Sequence, residues 1–184
     1  MKSVHMWRTR GFTLIELLVT ITIAGVLLTI AIPSFNSALI NYRLTTISNT
    51  FLSSAQLARS EAIKRNSRVT LCQSADGVSC AASGGWQQGW IIFQDTDNNA
   101  ARAAVEALIH SQIALPQGFA TSTGDIFISY MATGGSELTT GAFQATTVTW
   151  CNSEGVTNAT RQIVINAVGR AKVAKSTSAT CVSL

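Results

Sequence analysis

Gly11-Phe12-Thr13-Leu14-Ile15-Glu16-Leu17-Leu18 decides how this chain folds. Lys2, Arg8 and Arg10 precede it. From Phe12 an apolar run continues to Ile32, and Glu16 is its single ionisable group. Twenty-one residues of helix rise roughly 31 Å, about the hydrocarbon thickness of a bilayer. Thr13, Thr20, Thr22 and Thr29 dilute the run, but a helix can fold a Thr hydroxyl back onto its own carbonyls. A core helix of this length would carry a polar face. The run therefore reads as a membrane span. The basic residues before it place the N-terminus in the cytoplasm and the rest of the chain across the membrane. A secretory signal is cut after its apolar region, at small residues. Here a hydrophilic leader ends at Gly11 before the run begins, and Ile32-Pro33-Ser34-Phe35-Asn36 after it is a poor cleavage site.

A carboxylate inside an apolar run needs a cationic partner or a role. If the chain is cut after Gly11, Phe12 gains a free amine four residues before Glu16. The helix dipole favours an anion there. Between chains, the same pair can set the register of one helix against the next. This stretch resembles the class III signal of type IV pilins and type II secretion pseudopilins. The resemblance implies that a prepilin peptidase cuts between Gly11 and Phe12 and that Phe12 is N-methylated. It also implies that Glu16 directs assembly with other pilins or pseudopilins, and that Pro33 kinks the helix. A proline there removes one backbone hydrogen bond.

The remaining composition suits one modest domain. The chain of 184 residues carries a formal charge of +4. Without Lys2, Arg8 and Arg10, ten of its 13 basic residues remain against nine acidic ones, a net of +1. Glu154 is the last acid; Arg161, Arg170, Lys172 and Lys175 follow it. All four cysteines lie beyond the apolar run, on the oxidising side of the membrane. Three connectivities are open to them. Cys72 and Cys80 flank a loop-like stretch, and Cys151 and Cys181 flank the last segment, so local pairing is favoured. A four-thiol zinc site is the rival, but there is no Cys-x-x-Cys spacing. The second bridge would close a loop of ~30 residues, an entropic gain of order 3 kcal/mol.

Beyond the membrane the helix is expected to continue to about Asn66. Leu44, Ile47, Phe51, Ala55, Ala58 and Ala62 recur at steps of three and four and make one apolar face. From Ser67 the period shortens. Segments 68–73, 89–94, 104–110, 126–130, 145–150 and 162–166 read as strands between Gly, Asn, Asp and Ser clusters. The expected fold is α+β: a long N-terminal pilin helix packed on an antiparallel sheet, or two small ones. The expected divisions are a cleaved leader (1–11), a transmembrane half-helix (12–32), an amphipathic half-helix (33–66) and a β domain (67–184) in the periplasm and then the fibre.

Three internal segments narrow the resemblance: Ala58 to Cys72, Gly89 to Asn98, and Val168-Gly169-Arg170. They look like the GspH/FimT group of minor pilins and pseudopilins. That group implies a bacterial inner-membrane protein that joins the tip or initiation complex of a type IV pilus or a type II secretion pseudopilus. FimT-type members that bind DNA in natural transformation carry a C-terminal Gly-Arg-x-Arg motif. Here it reads Gly169-Arg170-Ala171-Lys172. Arg170 and Lys172 would share one strand face, with Lys175 nearby, and cations on one face can grip double-stranded DNA through its phosphates. From composition alone, a solvated edge strand protected by charge is the better reading.

No catalytic constellation stands out. Beyond the leader the single histidine is His110, and no serine lies in a Gly-x-Ser-x-Gly elbow. The chain reads as a non-enzyme without cofactor. Asp95, Asp97, Asn99 and Glu106 have calcium-loop spacings, but Ala100 stands where such a loop has Gly. An Asp/Asn turn is the favoured reading, with no metal.

Overall fold

The structure is a computed structural model and describes residues 11–122, 125–152 and 160–175. Helix α1 (Leu14–Arg65) is followed by β1 (Val69–Gln73), a 3-10 turn (Trp86–Gln88), β2 (Trp90–Gln94), β3 (Leu108–Gln112) and β4 (Phe119–Ser122). Then come β5 (Phe127–Tyr130), β6 (Thr146–Asn152), β7 (Thr160–Ile165) and β8 (Ala171–Lys175). The chain divides between Leu39 and Ile40 into two units.

In the first unit every side chain from Gly11 to Leu39 is exposed. The hydroxyls of Thr20, Thr22 and Thr29 donate to the carbonyls of Leu17, Val19 and Val26 at 2.7–2.8 Å. Their polarity is thus satisfied within the helix, as an apolar surround requires. Pro33 lies inside α1 and has no N–H to give the carbonyl of Thr29.

In the second unit, Leu44, Ile47, Phe51, Ala55, Ala58 and Ala62 are all buried, the face that the spacing predicts. They meet two antiparallel sheets, ordered β3-β2-β1-β5 and β4-β6-β7-β8. Phe51 stands where helix and sheets converge. Its ring makes edge contacts with Trp86 at 5.0 Å, Trp90 of β2 at 5.2 Å and Trp150 of β6 at 5.6 Å. Each aromatic contact adds about 0.5–1.5 kcal/mol to the burial itself.

The first sheet is covered on both faces. Val69, Leu71, Trp90, Ile92, Ile128 and Tyr130 join the main core. On the opposite face Cys72, Ile91 and Phe93 form a second small cluster with Cys80 and Phe127. A disulfide joins Cys72 to Cys80, with their Cα atoms 5.6 Å apart. Within its loop, Asp76 Oδ1 accepts the N–H of Val78 (2.8 Å) and of Ser79 (2.7 Å). Ser111 Oγ and Arg102 Nη1 donate to the carbonyls of Gly77 and Val78 at 3.0 Å. The edge of β5 is capped by Gln144, whose Oε1 accepts Ser129 N–H at 3.0 Å and whose Nε2 donates to Phe127 O at 2.8 Å. Such capping blocks strand addition at that edge.

Two strand expectations are corrected. The segment 104–110 begins as a turn, and β3 starts only at Leu108. The reason is Glu106, whose carboxylate accepts the N–H of Thr96 at 2.7 Å and of Ala103 at 2.9 Å and so folds the chain into a turn. β4 was not anticipated. It is four residues long, directly after Gly118, too short for its alternation to register.

Candidate functional site

The residues singled out in the sequence fall into three groups. The first is the helix start. Gly11 and Phe12 precede α1 and are exposed. Thr13 is the N-cap and Glu16 the third helical residue. Thr13 N and Oγ1 donate to Glu16 Oε2 at 3.1 and 3.0 Å, and Glu16 N–H donates to Thr13 Oγ1 at 3.2 Å. This reciprocal arrangement is a capping box, and it satisfies donors that a helix start otherwise leaves open. Within the chain the partner of Glu16 is Thr13 rather than a cation, and the Thr-x-x-Glu spacing is its signal in the sequence. Among the described residues Glu16 Oε1 takes no hydrogen bond, so one oxygen stays available to an incoming group.

The second group is the β7–β8 hairpin. Gly169 N–H donates to Asn166 O at 2.8 Å, Asn166 N–H to Arg170 O at 3.1 Å, and Arg170 N–H to Asn166 Oδ1 at 2.8 Å. Gly169 takes a φ of 74°, the left-handed position that closes such a three-residue turn. A Cβ at Gly169 would also collide with the carbonyl oxygen of Gly134. β8 is an edge strand among the described residues. Arg170 and Lys172 are exposed, and Ala171 between them packs against the core. The two cations therefore share the outer face. Neither forms an ion pair among the described residues. Lys175, the third cation of the expected group, is the last residue of β8 and pairs in register with Arg161.

The third group is the loop after β2. Asp95, Asp97 and Glu106 bring carboxylate oxygens within 4.8 Å of one another. The chain spends those oxygens on itself. Asp95 accepts the N–H of Asn99 and of Ala100 at 3.1 Å and the Thr70 hydroxyl at 2.8 Å. Asp97 accepts Asn99 Nδ2 at 2.7 Å. Ala100 takes a φ of 58°, where a glycine would sit without strain. Burial raises the Asp95 pKa against these hydrogen bonds, and the nearby Glu106 charge adds to the rise. Burial also pushes Glu106 upward, but the N–H groups of Ala103 and Thr96 outweigh it and hold its pKa below the ordinary value. Asn99 N–H donates to Asp97 Oδ1 at 3.3 Å and Ala101 N–H to Asn99 Oδ1 at 2.6 Å, each to a side chain two residues back, which are Asx-turn bonds.

Of the cysteines, Cys72 and Cys80 are joined and Cys151 is also disulfide-bonded. Cys181, its expected partner, lies outside the described residues. His110 is half-buried in β3 opposite Ile92.

The model of a family described as type II transport protein GspH matches residues 48–169, more than half of the chain. That of the prokaryotic N-terminal methylation motif matches residues 8–32. The chain is similar to the solved structure of the type IV minor pilin FimU from Pseudomonas aeruginosa. The identity is 18%, covering 75% of this chain and 98% of that one, with a TM-score of 0.52. It is also similar to the minor pseudopilin EpsH of the Vibrio cholerae Type 2 Secretion System. There the identity is 11%, covering 72% and 97%, with a TM-score of 0.50. At these identities the likeness is one of fold. No curated protein sequence matches the chain.

Proposed function

The chain belongs to the family of the type II transport protein GspH, and from that premise we propose how it is processed, anchored and assembled. It is a minor pilin or pseudopilin of a type IV pilus or a type II secretion system. Prepilin peptidase removes residues 1–11, and Phe12 is N-methylated. The run from Phe12 to Ile32 holds the subunit in the inner membrane, with the β domain on the periplasmic side, until it enters the fibre at the tip or initiation complex. Pro33 bends the helix where it leaves the membrane. Cys151 pairs with Cys181. The observation that carries this reading is the capping box at the head of an apolar helix. It leaves one Glu16 oxygen for the amine of a neighbouring subunit. Mass spectrometry of the mature N-terminus tests it. The expected first residue is N-methylated Phe12, and Gly11→Ala should retain the leader. A mature chain beginning elsewhere would overturn the reading.

A specific observation favours a second role, the binding of double-stranded DNA in natural transformation. Arg170 and Lys172 are exposed on one outer face, with no ion pair among the described residues. Lys172 stands where the motif has a second Arg; it meets phosphate as a point charge rather than as a fork. Each phosphate contact steepens the dependence of log K on log salt by about 0.9. Replacing both residues by Ala should weaken binding of duplex DNA and flatten that slope by about 2. Unchanged binding by the double variant excludes this role.

A further inference from the structure

The Arg170–Lys172 pair sits on a hairpin whose tip is held by another element. Arg59, on α1, lies off the apolar helical face and is half-buried. Its Nε donates to Gly134 O at 2.8 Å, and its Nη2 reaches Val168 O at 3.4 Å. Gly134 belongs to the loop after β5, and Val168 is the residue before the turn glycine. One guanidinium therefore ties two loops to the helix. The same three groups close on one another with no room to spare. A Cβ at Gly134 would lie 2.9 Å from Ile63 Cδ1 and 3.2 Å from Arg59 Nε. A Cβ at Gly169 would lie 3.2 Å from Arg59 Nε and would strike the Gly134 carbonyl. Ser136 completes the bracket: its N–H donates to Ala167 O at 3.2 Å, and its hydroxyl lies between Gln144 O at 2.7 Å and Asn166 O at 2.9 Å.

We propose that Arg59 is the positioning residue of the phosphate-gripping hairpin: by holding Val168 O and Gly134 O together, it fixes the turn from which Arg170 and Lys172 project. This rests on the second reading above. Ordering side chains on contact is unfavourable, so cations presented from a clamped turn bind an anionic strand more tightly than cations on a loose one. A planar fork suits this task because it spans two acceptors at once, which an ammonium on a flexible stem does not. Arg59 directs Nε and Nη2 at carbonyls, and its role in this proposal is to position the turn rather than to contact phosphate.

The test uses the full chain in uncharged detergent, titrated with fluorescent duplex DNA at several salt concentrations. Four proteins are compared: wild type, Arg59→Gln, Arg59→Lys, and Arg170→Ala with Lys172→Ala. Near-UV circular dichroism at the working temperature reports folding, and Arg59→Lys decides the matter if Arg59→Gln unfolds. The expected result is a loss of affinity of about 3- to 10-fold in Arg59→Gln. Its salt slope should match wild type. Arg59→Lys keeps the charge, so a pure field effect predicts no loss there; positioning predicts a loss between wild type and Arg59→Gln. A slope lower by about 1 in Arg59→Gln would make Arg59 a phosphate contact and overturn the proposal. So would wild-type affinity in both Arg59 variants. Wild-type binding by the Arg170/Lys172 double variant defeats the DNA reading itself, and this inference falls with it.

Discussion

Glu16 can sit at the head of an apolar helix because its own first turn supplies donors. Thr13 gives it a backbone and a hydroxyl hydrogen bond and takes one back. Thr13→Val removes the hydroxyl from this exchange, while Thr13→Ser keeps it. The expected outcome is reduced recovery of the subunit in sheared fibres for the first and near-normal recovery for the second. Asp76 shows the same economy in a loop. The Ser79 hydroxyl, then the N–H groups of Ser79 and Val78, hold its pKa far below the usual carboxylate range. A carboxyl depressed on folding contributes stability that is fully present above its unfolded pKa and lost as pH falls toward the folded one. Wild type should therefore melt above Asp76→Asn at pH 7, with the gap narrowing once the pH drops below about 4. A gap that stays constant from pH 7 to pH 2 contradicts that account.

At the scale of elements, one ring on the helix touches both sheets. Phe51→Ala should cost about 3–5 kcal/mol, because three tryptophans lose their common partner and cannot all close the void. Thermal unfolding with tryptophan fluorescence reads both the loss and its place. The Cys72–Cys80 bridge closes a short loop over the second apolar cluster. Replacing both cysteines by Ser should cost about 2.5 kcal/mol on the loop-entropy account. For a chain of this size that is a fall in Tm of about 5–10 °C. The buried helix face was readable because six residues at helical steps have one geometric solution. The turn at 101–107 was not. Val105 and Leu108 look like a strand in isolation, and only the hydrogen bonds from Thr96 and Ala103 to Glu106 show that the chain turns first. Arg59 was invisible as an anchor because its partners, Gly134 and Val168, are carbonyls far along the chain, and a carbonyl leaves no mark in sequence.

At the scale of the whole molecule, the two units divide the labour. The first exposes apolar side chains along its length and places its one carboxylate at the helix start. The second buries a core of its own and turns Arg170 and Lys172 outward on one edge strand. The proposed function assigns anchoring and assembly to the first and any DNA contact to the second. The most direct test of this account replaces Glu16 by Ala in the full-length chain and measures, by immunoblot, the subunit recovered in sheared fibres against its level in the membrane. The account predicts a normal membrane level and near-complete loss from the fibre. Equal recovery of Glu16→Ala and wild type in the fibre would contradict it.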